Sequence, residues 1–151
     1  MFDVIVVGTD GSETATAAVS KAIEVAAASD ATLHIVHAHR LVSAAQLGQA
    51  ATVGAPMFDL TAVNRGIEED SRQVCAHAAT QAEAAGVKYE THQRPGDAAD
   101  ALIEVAEDVG ADLVVVGNRG MTGVRRFVLG SVPNKVSHHC PCSLLIVDTR
   151  A

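Results

Sequence analysis

The sequence predicts an α/β fold, a five-stranded parallel sheet with helices on both faces. Three observations carry this expectation. Short apolar runs alternate with helix-patterned segments to the end of the chain, as right-handed β–α–β crossovers require. The runs are nearly continuous in Val, Ile and Leu, which fits strands covered on both faces. Glycines follow the first and fourth runs, where a strand of such a sheet turns toward its helix.

Asp3–Val7 is an apolar run ending at Gly8 and reads as the first strand. From Ala15 onward, Ala15, Ala18, Val19, Ala22 and Ala26 share one helical face, and either Asp10 or Ser12 can cap that helix. Asp10 with Glu13 three residues on resembles a capping box. Thr32–Ala38 is the second strand. Leu41–Gly66 is rich in Ala, Gln, Gly and Thr without a clean period, and is expected to be a long, partly ordered connection with a short helix around Ala44–Ala51. Ile67, Val74, Cys75, Ala78, Ala82 and Ala85 mark a longer helix that stops at Gly86. Val87–Gln93 is the third strand, and Asp97 starts a helix bearing Ala98, Ala101, Leu102, Val105 and Ala106, ended by Gly110. Leu113–Val116 is the fourth strand, Ser131–His138 a short helix and Ser143–Val147 the fifth strand. One domain over residues 1–151 accounts for all of this, at a size ordinary for a single domain.

The most informative stretch is Gly117-Asn118-Arg119-Gly120, then nine residues, then Gly130-Ser131. It joins a buried strand to a helix start. Glycines there let the backbone approach a ligand, and the helix N-terminus directs N–H groups and partial positive charge into the same space. Such a junction suits an anion, most commonly phosphate; a loop with ordinary turn glycines is the plain alternative. Gly8-Thr9-Asp10-Gly11 follows the first strand. Were strands one and four neighbours, both loops would open on one crevice beyond the strands' carboxyl ends.

Composition narrows the classes. The chain is 48% hydrophobic but 3% aromatic, so its core must be aliphatic. A net charge of −7 argues against a nucleic-acid-coating surface, though not against one small anion held by local N–H groups. No run has transmembrane length, and the N-terminus lacks a signal-peptide pattern. Three cysteines fit a reducing compartment better than a disulfide framework. A cytoplasmic protein is expected.

Two clusters have metal-ligand residue types. In His138-His139-Cys140-Pro141-Cys142 the Cys-x-Cys spacing is not a structural zinc pattern, and buried cysteine with helix-end histidine is the better reading. His34 and His37 point to opposite faces of a strand, whereas His37 and His39 share one; two histidines are too few for a site.

The chain resembles the universal stress protein family, and does so over nearly its full length. The resemblance rests on Val7–Ser12, Leu33–Ala38 and Ala111–Gly117. It rests most on Gly117-Asn118-Arg119-Gly120 with Gly130-Ser131-Val132, followed by Pro141–Val147. The family's nucleotide-binding branch carries this glycine spacing before Ser or Thr. The resemblance implies a Rossmann-like domain, similar to the adenine nucleotide alpha hydrolases, with strand order 3-2-1-4-5. It implies that Gly117, Gly120, Gly130, Ser131 and Val132 surround ribose and phosphates, with Val116 also among the nucleotide-binding residues. It also implies that Asp10 lies near the ribose or a phosphate-bound metal, with Thr9 a weaker candidate, and that Ala38 offers backbone groups to adenine. Arg119, between the two loop glycines, is a candidate phosphate partner; Arg125 and Arg126 read as solvated loop charge.

The expected ligand is ATP with Mg or Mn, and cyclic AMP is the runner-up. A dimeric interaction module without a functional nucleotide is the alternative from another class. No Walker A lysine, nucleophile elbow or nucleophile–base pair is present, so no catalytic residue is assigned and at most slow ATP hydrolysis is expected. Relatives commonly pair the last strand with its copy, which implies a homodimer through Leu144–Val147.

Overall fold

The computed structural model describes residues 1–46, 59–118 and 129–149. Its elements follow the expected alternation: β1 (Val4–Gly8), α1 (Glu13–Ser29), β2 (Thr32–His39), α2 (Leu60–Ala84), β3 (Tyr89–Pro95), α3 (Ala98–Val109), β4 (Leu113–Gly117), α4 (Ser131–His139) and β5 (Ser143–Val147). The strands form one sheet in the order β3-β2-β1-β4-β5. Every pairing is parallel, with Ile5 of β1 opposite both Leu33 and Leu113. β1 and β4 are therefore neighbours, as the shared crevice requires.

Alternation along each strand divides the core into two layers. Ile5, Val7, Leu33, Ile35, Leu113 and Val115 face α1 and α2, where Val19, Ala22, Cys75 and Ala82 close over them. Val6, Val36, Val114 and Val116 face the other way, against Leu102 and Val105 of α3 and Val136 of α4. Alanine on α1 and α2 lets those helices sit close to the sheet, consistent with a core that uses almost no aromatic residue.

The caps follow residue chemistry. Ser12 Oγ accepts the Ala15 N–H at 3.1 Å at the start of α1, and Asp97 accepts the Asp100 N–H at 3.1 Å at the start of α3. Asp10 is not the cap; its Oδ1 accepts the Ser12 N–H at 2.9 Å and shapes the turn before the helix. Gly11 completes that turn at φ +80°, a backbone conformation that side-chain-bearing residues rarely adopt.

The long connection is shorter than the sequence implied. α2 begins at Leu60, so Leu60–Gly66 is helical. Asp59 caps it by accepting the Thr61 and Ala62 N–H groups. Asn64 then clamps the opposite side of the connection, accepting the Val42 N–H at 2.8 Å and donating to the Val42 carbonyl at 3.0 Å. The expected helix around Ala44–Ala51 is helical over 44–46, and its remainder lies outside the described residues. Among the described residues no helix is long and apolar enough to cross a membrane.

Candidate functional site

The strand order reverses between β1 and β4, and the chain leaves their carboxyl ends in opposite directions. An open cleft lies there. Its walls come from the β1 exit (Gly8, Thr9, Asp10, Ser12), the β2 end (Val36, Ala38), the β4 end (Val116, Gly117) and the first turn of α4 (Ser131, Val132, Pro133). Thr14 and Ala15 of α1 and Ala98 and Leu102 of α3 complete them.

Each wall has a local cause. The Thr9 N–H donates to the Val36 carbonyl at 2.9 Å, which ties the β1 exit to β2. The Gly11 N–H donates to Thr9 Oγ1 at 3.1 Å, so Thr9 and Asp10 are both held in the turn. Gly8 sits against Leu102; a Cβ there would stand 3.0 Å from Leu102 Cδ1. The cleft floor is close-packed because this position has no side chain.

The β4 exit is fixed by Asn118. Its N–H donates to the Val147 carbonyl at 2.9 Å, and its carbonyl accepts the Gly130 N–H at 3.0 Å. Its side-chain Oδ1 accepts from the Thr149 N–H at 3.1 Å and from Thr149 Oγ1 at 2.8 Å, and Nδ2 donates to Asp148. The two ends of the glycine loop are thus fastened together and to the segment after β5. Gly130 is the N-cap of α4 and contributes no capping side chain. Ser131 is the first helical residue. The early N–H groups of a helix lack partners within it, and here they open beside the cleft. Pro133 in the first turn has no N–H to satisfy.

Polar contacts brace the elements that carry the cleft. Lys135 of α4 pairs with Asp100 at 2.8 Å and Asp97 at 3.3 Å, bracing α4 against the start of α3. The N–H bond from Asp100, then Lys135, holds the Asp97 carboxyl below its usual range. On the α2 side, His37 Nδ1 lies 2.6 Å from Ser71 Oγ, and Ser71 is fully buried. Burial and then the neighbouring His39 lower the His37 pKa, while Asp10 opposes them.

Seven of the ten sequence-predicted site residues line this cleft: Thr9, Asp10, Ala38, Val116, Gly117, Ser131 and Val132. Gly130 stands at the N-cap beside it. Arg119 and Gly120 lie outside the described residues, as do Arg125 and Arg126. Sequence reasoning missed Asn118, Ser12, Thr14, Ala98, Leu102 and Pro133. Asn118 had a readable signal, a side-chain amide directly after a strand at a loop root; Leu102 was legible only as core.

Away from the cleft, His34 Nδ1 and His92 Nε2 lie 2.9 Å apart, with Glu90 Oε2 3.8 Å from His34 Nδ1. In the sequence two histidines of β2 were too few for a site; the fold places His92 and Glu90 of β3 beside His34. Burial is the largest cause lowering the pKa of both His34 and His92. The Cys140 and Cys142 thiols are 3.9 Å apart and half-buried. Burial and then Cys140 push the Cys142 thiol up to about 12, so it stays protonated near neutral pH.

With this geometry established, known proteins place the chain. The universal stress protein YxiE of Bacillus subtilis is 30% identical over 97% of this chain and 99% of its own length. Universal stress protein Rv1636 of Mycobacterium tuberculosis H37Rv is 34% identical over 98% of this chain and 97% of its own. A solved universal stress protein in complex with cAMP is 33% identical, covers 99% of this chain and 98% of its own, and superposes with a TM-score of 0.70. The protein MJ0577, 20% identical, shares the fold with a TM-score of 0.80 over 100% of this chain and 99% of its own. The family model described as the universal stress protein family matches residues 1–148, and the chain belongs to that family.

Proposed function

We propose that this protein binds an adenine nucleotide in the cleft between β1 and β4. The observation that carries the reading is the junction at the switch point. There the glycine end of β4 meets an α4 N-terminus whose cap position bears no side chain. Phosphates set against that N-terminus gain N–H donors and the favourable end of the helix dipole. Gly117, Gly130, Ser131 and Val132 would surround ribose and phosphates, joined by Arg119 and Gly120 on the strength of the sequence. Val116 and Ala38 form the apolar side, with the Ala38 backbone against adenine.

ATP with Mg or Mn is the first reading. The residues present fit a metal-bound nucleotide: Asp10 and Thr9 offer oxygen atoms, and oxygen is what these hard cations take. The metal would neutralise adjacent phosphates, and Asp10 would orient it. Cyclic AMP is the second reading, favoured by the 33%-identical relative solved with cAMP. The role is regulatory, in the cytoplasm, by a homodimer joined through Leu144–Val147, with hydrolysis slow at most and neither nucleic acid nor membrane as partner.

Titration calorimetry with and without magnesium tests this. An adenine nucleotide should bind with an affinity on the order of micromolar, about −8 kcal/mol. Magnesium should strengthen ATP binding and leave cyclic AMP binding nearly unchanged, because only ATP offers adjacent phosphates to chelate. Absence of heat or a thermal shift at millimolar ATP, ADP, AMP and cyclic AMP would overturn the reading in favour of an interaction module.

A further inference from the structure

We infer that His34, Glu90 and His92 form a binding site for a divalent transition-metal ion of the zinc class. It is separate from the nucleotide cleft. In the β2–β3 register, His34 faces Glu90 directly and His92 sits two residues further along the same face. The ligand atoms of all three groups lie within 4.8 Å of one another. This brings two imidazoles and one carboxylate to one spot on the α3 side of the sheet.

The geometry is close to what coordination needs. His34 Nδ1 and His92 Nε2 point at each other across 2.9 Å. Two nitrogens bound at about 2.0–2.1 Å to a tetrahedral ion stand about 3.3 Å apart. The rings need to part by only a few tenths of an ångström, within the reach of a half-buried His92 at a sheet edge. A metal ion would take the place of the single proton that now lies between the two nitrogens. Both rings would then ligate in the neutral form.

The surroundings favour a cation. Glu90 is exposed, its carboxylate 3.8 Å from His34, and it supplies negative charge. Arg94 on the same strand is the nearby positive charge, and Asp108 of α3 holds it at 3.6 Å. His34 is 6% exposed and anchored in the sheet, so one ligand is rigid while His92 and Glu90 adjust around it. Three protein ligands leave a tetrahedral ion one open position for water. Imidazole donors select zinc, copper or nickel over magnesium and calcium, which prefer all-oxygen sites. The Asp10 position in the cleft therefore takes a different class of ion.

Equilibrium dialysis of the full chain against zinc alone tests the site. The background is Cys140→Ser with Cys142→Ser, which removes the other pair of soft ligands. One ion per chain is expected, with an affinity on the order of micromolar and no competition from a large excess of magnesium. His92→Gln should weaken binding at least about 100-fold, and Glu90→Gln about tenfold. Cobalt should give tetrahedral visible absorption that both substitutions abolish or weaken. Each variant's thermal transition without metal establishes that it is folded; Glu90 is exposed and His92 half-buried at the sheet edge. Zinc binding as in the parent by either folded variant, or no saturation up to millimolar zinc, would overturn the site and leave a histidine–histidine hydrogen bond.

Discussion

If the proposed nucleotide sits in the cleft, helix stability and phosphate binding should respond oppositely to one substitution at Ser131. As the first residue of α4 it lies at the positive end of the helix dipole. Ser131→Asp should therefore hold or raise the thermal transition, by an interaction of about 0.3–1 kcal/mol. The same carboxylate would meet the nucleotide phosphates, so affinity should fall at least about tenfold, near 1.4 kcal/mol. Adenosine, which has no phosphate, should bind both forms alike. Parallel melting curves and calorimetry check this; equal loss of adenosine and ATP binding would place the phosphates elsewhere. The small residues at the cleft were legible in the sequence, because Gly117, Gly130 and Ser131 declare themselves by type and spacing. Leu102 and Ala98 were not, since an apolar helix residue looks the same whether it lines a cleft or fills a core. The pairing of His34 with His92 was hidden for another reason: they are 58 residues apart, and only the β2–β3 register brings them together.

At the scale of elements, α2 shows how tertiary anchoring overrides local preference. Gly66 lies inside it, and the space where a Cβ would sit is open to 4 Å. Its presence, with no strong period ahead of it, made Leu60–Gly66 read as connection. Asp59 and Asn64 supply the cap and the clamp that fix the helix start, and neither is a periodicity signal. Gly66→Ala should raise stability by about 0.4–1 kcal/mol, mainly by restricting the unfolded chain. A urea midpoint moved upward at unchanged m-value checks it. The docking of α2 on β2 carries a pH dependence through His37. Its ring resists protonation because it is buried and beside His39, an effect that Asp10 opposes. The unfolded chain thus takes up more protons as pH falls from about 6.5 toward the lower native value. Stability contributed by neutral His37 is present above that window and is lost as pH falls through it. The thermal transition should drop between pH 7.5 and 5.5, and His37→Gln, which keeps a partner for buried Ser71, should drop less steeply. Equal slopes would assign the pH dependence to other groups.

For the whole molecule, the strand alternation read from sequence gives the observed sheet because parallel strands need helical crossovers and little else satisfies them. The sheet order then leaves two edges, β3 and β5, with opposite chemistry. β3 carries Glu90, Thr91, His92, Gln93 and Arg94 and ends at Pro95, the charged and proline-bearing kind of edge that resists pairing with another chain. β5 is Ser143-Leu144-Leu145-Ile146-Val147, with three half-buried aliphatic residues and no charge. Among the described residues no strand lies beyond β5, and an apolar edge of this kind can pair with a second copy, whose contact across a two-fold axis would repeat the same residues on both sides. This contrast between edges supports the proposed homodimer through Leu144–Val147. Ile146→Lys should place an ammonium in that contact and move the mass measured by light scattering from two chains toward one. Ile146 also packs on the α3–α4 core layer, so a melting curve at matched concentration must accompany the measurement. A folded Ile146→Lys protein that remains a dimer would put the interface on another surface. A folded monomer that still binds nucleotide would separate assembly from the cleft, which is built within one chain.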